Sequence, residues 1–138
     1  MSGCVAPVGR RSFCLALLVL SGCAQKSPPP GAAGPAEAVQ DFAGAVQRGD
    51  SATAWALLSA RTQADADRIA KAAQPDGGDG RAMLFGSALP QGSIEVGKVQ
   101  ESGDSADVQT SSPDGGPGHA FHVVREAGRW RIDLPLTR

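Results

Sequence analysis

Apolar positions along the chain fall into three regimes. They are continuous from Phe13 to Leu20, recur at helical spacing from Pro35 to Ala73, and alternate with polar positions from Ser93 to Leu134. In the middle regime Val39, Phe42, Ala43 and Val46 stand at i, i+3, i+4 and i+7, one face of a helix that Pro35 can open and Gly49 closes. Asp50 can cap a second, short helix whose buried side is Ala54, Trp55, Leu57 and Leu58. Thr62 and Asp65 resemble a capping box opening a third helix, where Ala66, Ile69, Ala70 and Ala73 repeat the spacing until Pro75 ends it. Asp76-Gly77-Gly78-Asp79-Gly80 follows as a solvated loop. It lacks the alternate oxygen ligands and distant Glu of an EF-hand calcium loop. Arg81 to Leu89 carries Met83, Leu84 and Phe85, suited to a core or a hydrophobic lid.

In the third regime the period is two. Ile94 and Val96 are followed by Val99 on a shifted register, with Gly97 as the expected bulge. Gly103-Asp104 makes a turn, Ala106, Val108 and Thr110 alternate, and Pro113 to Gly118 forms a longer loop before a strand from His119 to Glu126. Gly128 turns the chain back. In the last strand Trp130, Ile132 and Leu134 point one way and Arg129, Arg131 and Asp133 the other, so Arg131 and Asp133 are expected on a solvated outer face, as is Glu95 opposite Ile94 and Val96. Helices first and hairpins afterwards predict an α+β fold, N-terminal helices packed on an antiparallel sheet of about four strands. It occupies one domain, residues 36–138.

The continuous run changes the picture. Arg10 and Arg11 precede it and small residues follow, the layout of an export signal over residues 1–22. A spanning helix needs about 20 apolar residues, and this run is less than half that. Leu20-Ser21-Gly22-Cys23 resembles the lipobox of bacterial lipoproteins. That resemblance implies a diacylglyceryl group on the Cys23 thiol, cleavage just before it, and acylation of the new amine. An ordinary secreted protein cut near Gly22 is the alternative. Arg10-Arg11-Ser12-Phe13 also resembles the twin-arginine export motif, so both export routes stay open. The other cysteines, Cys4 and Cys14, lie in the leader, leaving the mature chain without an internal disulfide. Residues 23–35 are the lipidated Cys23 and a Pro/Gly/Ala-rich tether, whose twelve residues from Ala24 to Pro35 would reach up to about 35–40 Å if polyproline-like. Ala24 is not the Asp that retains enterobacterial lipoproteins at the inner membrane, which by resemblance implies the outer membrane, facing the periplasm.

Without the leader, eleven basic residues face fourteen acidic ones, a net charge of about −3. No basic stripe or aromatic-basic interleaving supports nucleic-acid binding. No nucleophile elbow, phosphate loop or zinc motif can be assembled, so no catalytic residue, cofactor or metal is expected. His119 and His122, three apart on a strand, project to opposite faces and cannot share a metal. His122 shares parity with Val124 and is expected half buried.

Ala38-Val39-Gln40-Asp41-Phe42, Arg48-Gly49-Asp50, Ala54 to Leu58, and Val123 to Ile132 with Gly128-Arg129-Trp130 resemble small lipoproteins with a nuclear-transport-factor-two-like cone. The resemblance implies a sheet curled around a helix to form an apolar pocket. It does not supply a function, because members range from enzymes to binding modules. Phe42, Trp55, Phe121 and Trp130 are the candidate pocket or core aromatics. The expected function is a membrane-anchored envelope lipoprotein whose domain contacts an envelope protein or holds a small apolar ligand. The alternative is a cone-type hydrolase or isomerase using Asp41 or His122, which requires one of them deep in a cavity.

Overall fold

The computed structural model describes residues 29–86, 93–116 and 118–136. The leader with Leu20, Ser21 and Gly22, the lipidation site Cys23, the first part of the tether, Leu89 and Pro117 lie outside the described residues. Four helices, α1 (Pro35–Gln47), α2 (Ser51–Ala56), α3 (Ala60–Ala73) and α4 (Gly80–Phe85), precede four strands, β1 (Glu95–Ser102), β2 (Ser105–Ser111), β3 (Ala120–Glu126) and β4 (Arg129–Ile132). The strands form one open antiparallel sheet in the order β1-β2-β3-β4. The fold is therefore α+β, as the succession of periods predicts.

Local chemistry explains the helix boundaries. Pro35 occupies the first turn of α1, where its missing N–H costs nothing. The Asp50 carboxylate accepts from the Thr53 N–H at 3.0 Å and starts α2. The third helix begins earlier than the Thr62 and Asp65 pattern predicts, because Ser59 is its cap. Ser59 Oγ accepts from the Thr62 N–H at 3.1 Å, while Asp65 pairs with Arg68 at 2.7 Å. Ser59 is available for this role because its own N–H donates to the Ile132 carbonyl at 2.7 Å, holding it extended beside β4. The glycine-rich loop also does more than connect. Asp79 accepts from the Ala82 N–H at 2.9 Å and Asp67 from the Gly80 N–H at 3.0 Å, so the loop ends in the cap of α4.

The sheet follows the alternation closely. Val108 pairs with Phe121 and Val123 with Ile132, and the register of β1 against β2 shifts between Val96 and Val99, where Gly97 predicts a bulge. Ala38, Val39, Leu58, Ala106, Val108, Val123, Trp130 and Ile132 form the core between sheet and helices. Arg125, opposite Trp130 in the register, lays its guanidinium over the indole at 5.4 Å while also bonding to Asp104.

The outer edge of β4 is covered by two extended pieces from earlier in the chain. The Ala32 N–H and C=O both pair with Trp130 at 2.9 Å. Leu57 and Ser59 flank Ile132, the former accepting its N–H and the latter donating to its carbonyl. Arg129 donates to the Gly31 carbonyl at 2.6 Å and Arg131 to that of Pro30 at 3.3 Å. The end of the stretch read as a tether is thus docked on the sheet, and Ala32 is buried.

Three expectations from strand parity are corrected. Asp133 is not on a solvated face but is 6% exposed, because the chain beyond β4 runs against the first turn of α3. Arg131 is half buried, its guanidinium reaching Glu126 and the carbonyls of Pro30 and Leu58. His122 is exposed rather than half buried: no described element covers its side chain, and its Nδ1 lies 2.8 Å from Asp107 on β2.

Candidate functional site

The helical face predicted from Val39, Phe42, Ala43 and Val46 divides in the fold. Val39 enters the core, whereas Phe42, Ala43 and Val46 line an open groove of about 440 Å³ beside it. Phe85 and Leu84 from α4, Ile94 before β1, Phe121 from β3 and Leu134 after β4 complete its apolar wall. Three phenylalanines make the body of this wall. Phe42 meets Phe85 at 6.4 Å and 59°, and Phe121 at 6.3 Å and 63°, tilted and edge-on geometries that favour aromatic pairs. All three are only half buried, so each leaves ring surface facing the groove.

One end of the groove is polar. Ser93 precedes β1, Ser112 follows β2 and His119 precedes β3; the pairings Glu95–Ser111 and Thr110–His119 put them at the same end of the sheet. Their side chains make no hydrogen bond to another described residue. The described lining contains no Asp, Glu, Lys or Arg, leaving His119 as its one ionisable residue.

The polar residues at the β4 side of the fold are fully engaged. Asp133 accepts from Ser59 Oγ at 2.7 Å, from Arg61 at 2.5 and 3.2 Å, and from Thr62 Oγ1 at 3.4 Å. Burial pushes its carboxyl upward, but the bonds from Arg61, Ser59 and Thr62 outweigh that and hold it below the usual carboxylate range. The Arg61 guanidinium is raised in turn, chiefly by its hydrogen bond to Asp133. This cluster joins α3 to the chain end and has no opening to the groove.

Of the four candidate aromatics, Phe42 and Phe121 line the groove, Trp130 is core at 4% exposure, and Trp55 packs half buried against the core. Asp41 and His122 are both exposed and neither lines the groove. Among the described residues no group of three or more His, Cys, Asp or Glu side chains is placed to hold a metal. Phe85, Ile94 and His119 are wall residues that the sequence did not assign to a pocket, Phe85 being expected in a core or hydrophobic lid, Ile94 in a strand and His119 at the start of one. The apolar Met83-Leu84-Phe85 run was the available signal, but no local period says that α4 lies across from β3.

No family model, curated protein or solved structure matches the chain.

Proposed function

We propose that the chain is an envelope lipoprotein, held by lipid on Cys23 and facing the periplasm from the outer membrane, whose domain is a non-catalytic module holding a small apolar ligand. The groove carries this reading. At about 440 Å³ it falls within the range of small-molecule sites, and it joins an apolar aromatic body to a few polar groups at one end. A helical layer over an antiparallel sheet with an apolar opening between them also supports a nuclear-transport-factor-two-like cone as the domain's kinship. An acid/base reading built on Asp41 or His122 draws no support, since neither lines the groove.

The docked stretch bears on the anchor. Six residues, Ala24 to Pro29, separate Cys23 from Pro30, and the seven steps between them reach at most about 25 Å. The β4 edge is then held close to the bilayer rather than free at the far end of a long tether.

Two measurements test the two halves of the proposal. Intact mass of the membrane-extracted protein, beside Cys23→Ser, is expected to show Cys23 as first residue with acyl mass; an unmodified soluble product overturns the anchor. An uncharged environment-sensitive dye is expected to bind the wild-type chain one to one and to lose binding in folded Phe121→Ala. Equal binding by both proteins overturns the groove as the ligand site.

A further inference from the structure

We infer that the ligand is a single-tailed amphiphile with a carboxylate head, its tail along Phe42, Phe85 and Phe121 and its head at Ser93, Ser112 and His119. This rests on the groove being a ligand site and goes beyond it by naming the ligand's chemistry. The argument is one of complementarity along the groove's length. The three rings and Ile94, Leu84 and Leu134 offer contact to methylenes and no hydrogen-bond donor to an anion. The polar end offers two hydroxyls and an imidazole, all capable of donating hydrogen bonds and none bonded to another described residue.

The sign of the head follows from what is missing from the lining. At the polar end the described lining has no carboxylate to pair with a cationic head, and the ring faces that could hold a cation belong to the apolar body of the groove. Glu95 alternates with Ile94 and projects from the other face, where Ser111 is its partner in the register. Asp41 adjoins Phe42 but lies on the exposed side of α1. An anionic head finds donors without a competing acid, and its bonds to them are charge-assisted, hence shorter and stronger than those a neutral alcohol would make.

The test is calorimetric titration of the full mature chain with dodecanoic acid, dodecanol and dodecylamine, each kept below its aggregation concentration. The acid is expected to bind one to one and at least tenfold tighter than the amine. Shortening its tail is expected to weaken binding about fourfold per methylene removed. Folded His119→Gln combined with Ser112→Ala is expected to remove the preference for acid over alcohol, weakening the acid more than the alcohol. Folded Phe121→Ala is expected to weaken all three ligands.

If all three bind alike and Phe121→Ala weakens each, the groove remains a ligand site and the carboxylate assignment falls. If the amine binds best, the assignment falls likewise. If none binds, both the assignment and the groove reading are overturned.

Discussion

The β4 side of the molecule and the groove side are built from the same helical layer and the same sheet, yet one is closed and the other open. At β4 the edge is sealed by Ala32, Leu57 and Ser59, the side chains of Leu58 and Ile132 are fully buried, and Asp133 is satisfied by three neighbours. Across the core, Phe42 meets both Phe85 and Phe121, yet all three stay half exposed around about 440 Å³ of open space. A domain of this size gains most of its stability from whatever core it can close. The closed side can therefore supply the stability that lets the open side remain unfilled, which is the division of labour a binding module requires.

The contrast can be broken most strongly by removing the closed side's packing. Ile132→Ala is expected to cost about 3 kcal/mol in denaturant unfolding, because it opens a cavity where neighbours cannot collapse. Phe121→Ala, a larger truncation on the groove side, is expected to cost only about 1 kcal/mol, since much of its ring already faces solvent. Equal losses from the two would abolish the distinction.

Asp133→Ala is expected to cost roughly 3 kcal/mol, because it takes from buried Ser59 its shortest acceptor and leaves the Ser59 and Thr62 hydroxyls only the longer bonds to Thr62 Oγ1 and the Leu134 carbonyl. A pH series sharpens the point. The Asp133 carboxyl titrates lower in the folded protein than in the unfolded chain, so its stabilisation is full above the unfolded-state value near 3.9 and is lost as pH falls through the folded value. The wild-type protein should accordingly lose more stability than Asp133→Ala between pH 5 and 2, measured by urea midpoints.

Gly31→Ala acts on the seal at β4. Gly31 has φ of +121°, and a Cβ there would meet Arg129 Cβ at 2.7 Å and the Trp130 carbonyl at 2.9 Å. A loss of about 2 kcal/mol is expected. Faster amide exchange at Trp130 and earlier proteolysis near Ala32 should accompany it, with ligand binding in the groove unchanged. The smallest effect is expected from Arg61→Ala, a slight fall in the urea midpoint that shrinks further in high salt, because the guanidinium is 63% exposed although its partner is buried.

Much of this division was readable residue by residue. The i, i+3, i+4 spacing of Val39, Phe42, Ala43 and Val46 located α1, and Gly97 located the bulge in β1, because both signals lie within one turn or one strand pair. The same signals failed at Asp133, where alternation predicted solvent. Parity fixes which side of a strand a residue takes, but the first turn of α3, 71 to 74 positions away, decides what covers it. His122 failed in the opposite direction, since sharing a face with Val124 did not bring any element to pack over it. Phe42 and Phe121 were singled out as aromatics, but not as two walls of one opening with Phe85.

By itself, the sequence determined the order and type of elements other than α4, the two-residue alternation that seats Val108, Val123 and Ile132 inward, and the turns between strands. Those depend on backbone propensity and on periods a few residues long. The proposed address rests on the leader, from Arg10 and Arg11 through the apolar run to Leu20-Ser21-Gly22-Cys23, and on Ala24. Tertiary structure decided that Ala32 seals β4, that Asp133 is buried, and that three phenylalanines face an open groove rather than a filled core. Each is a contact between segments far apart in the chain. Local periodicity selects the face a side chain presents, whereas its cover depends on how distant elements fill the space before it.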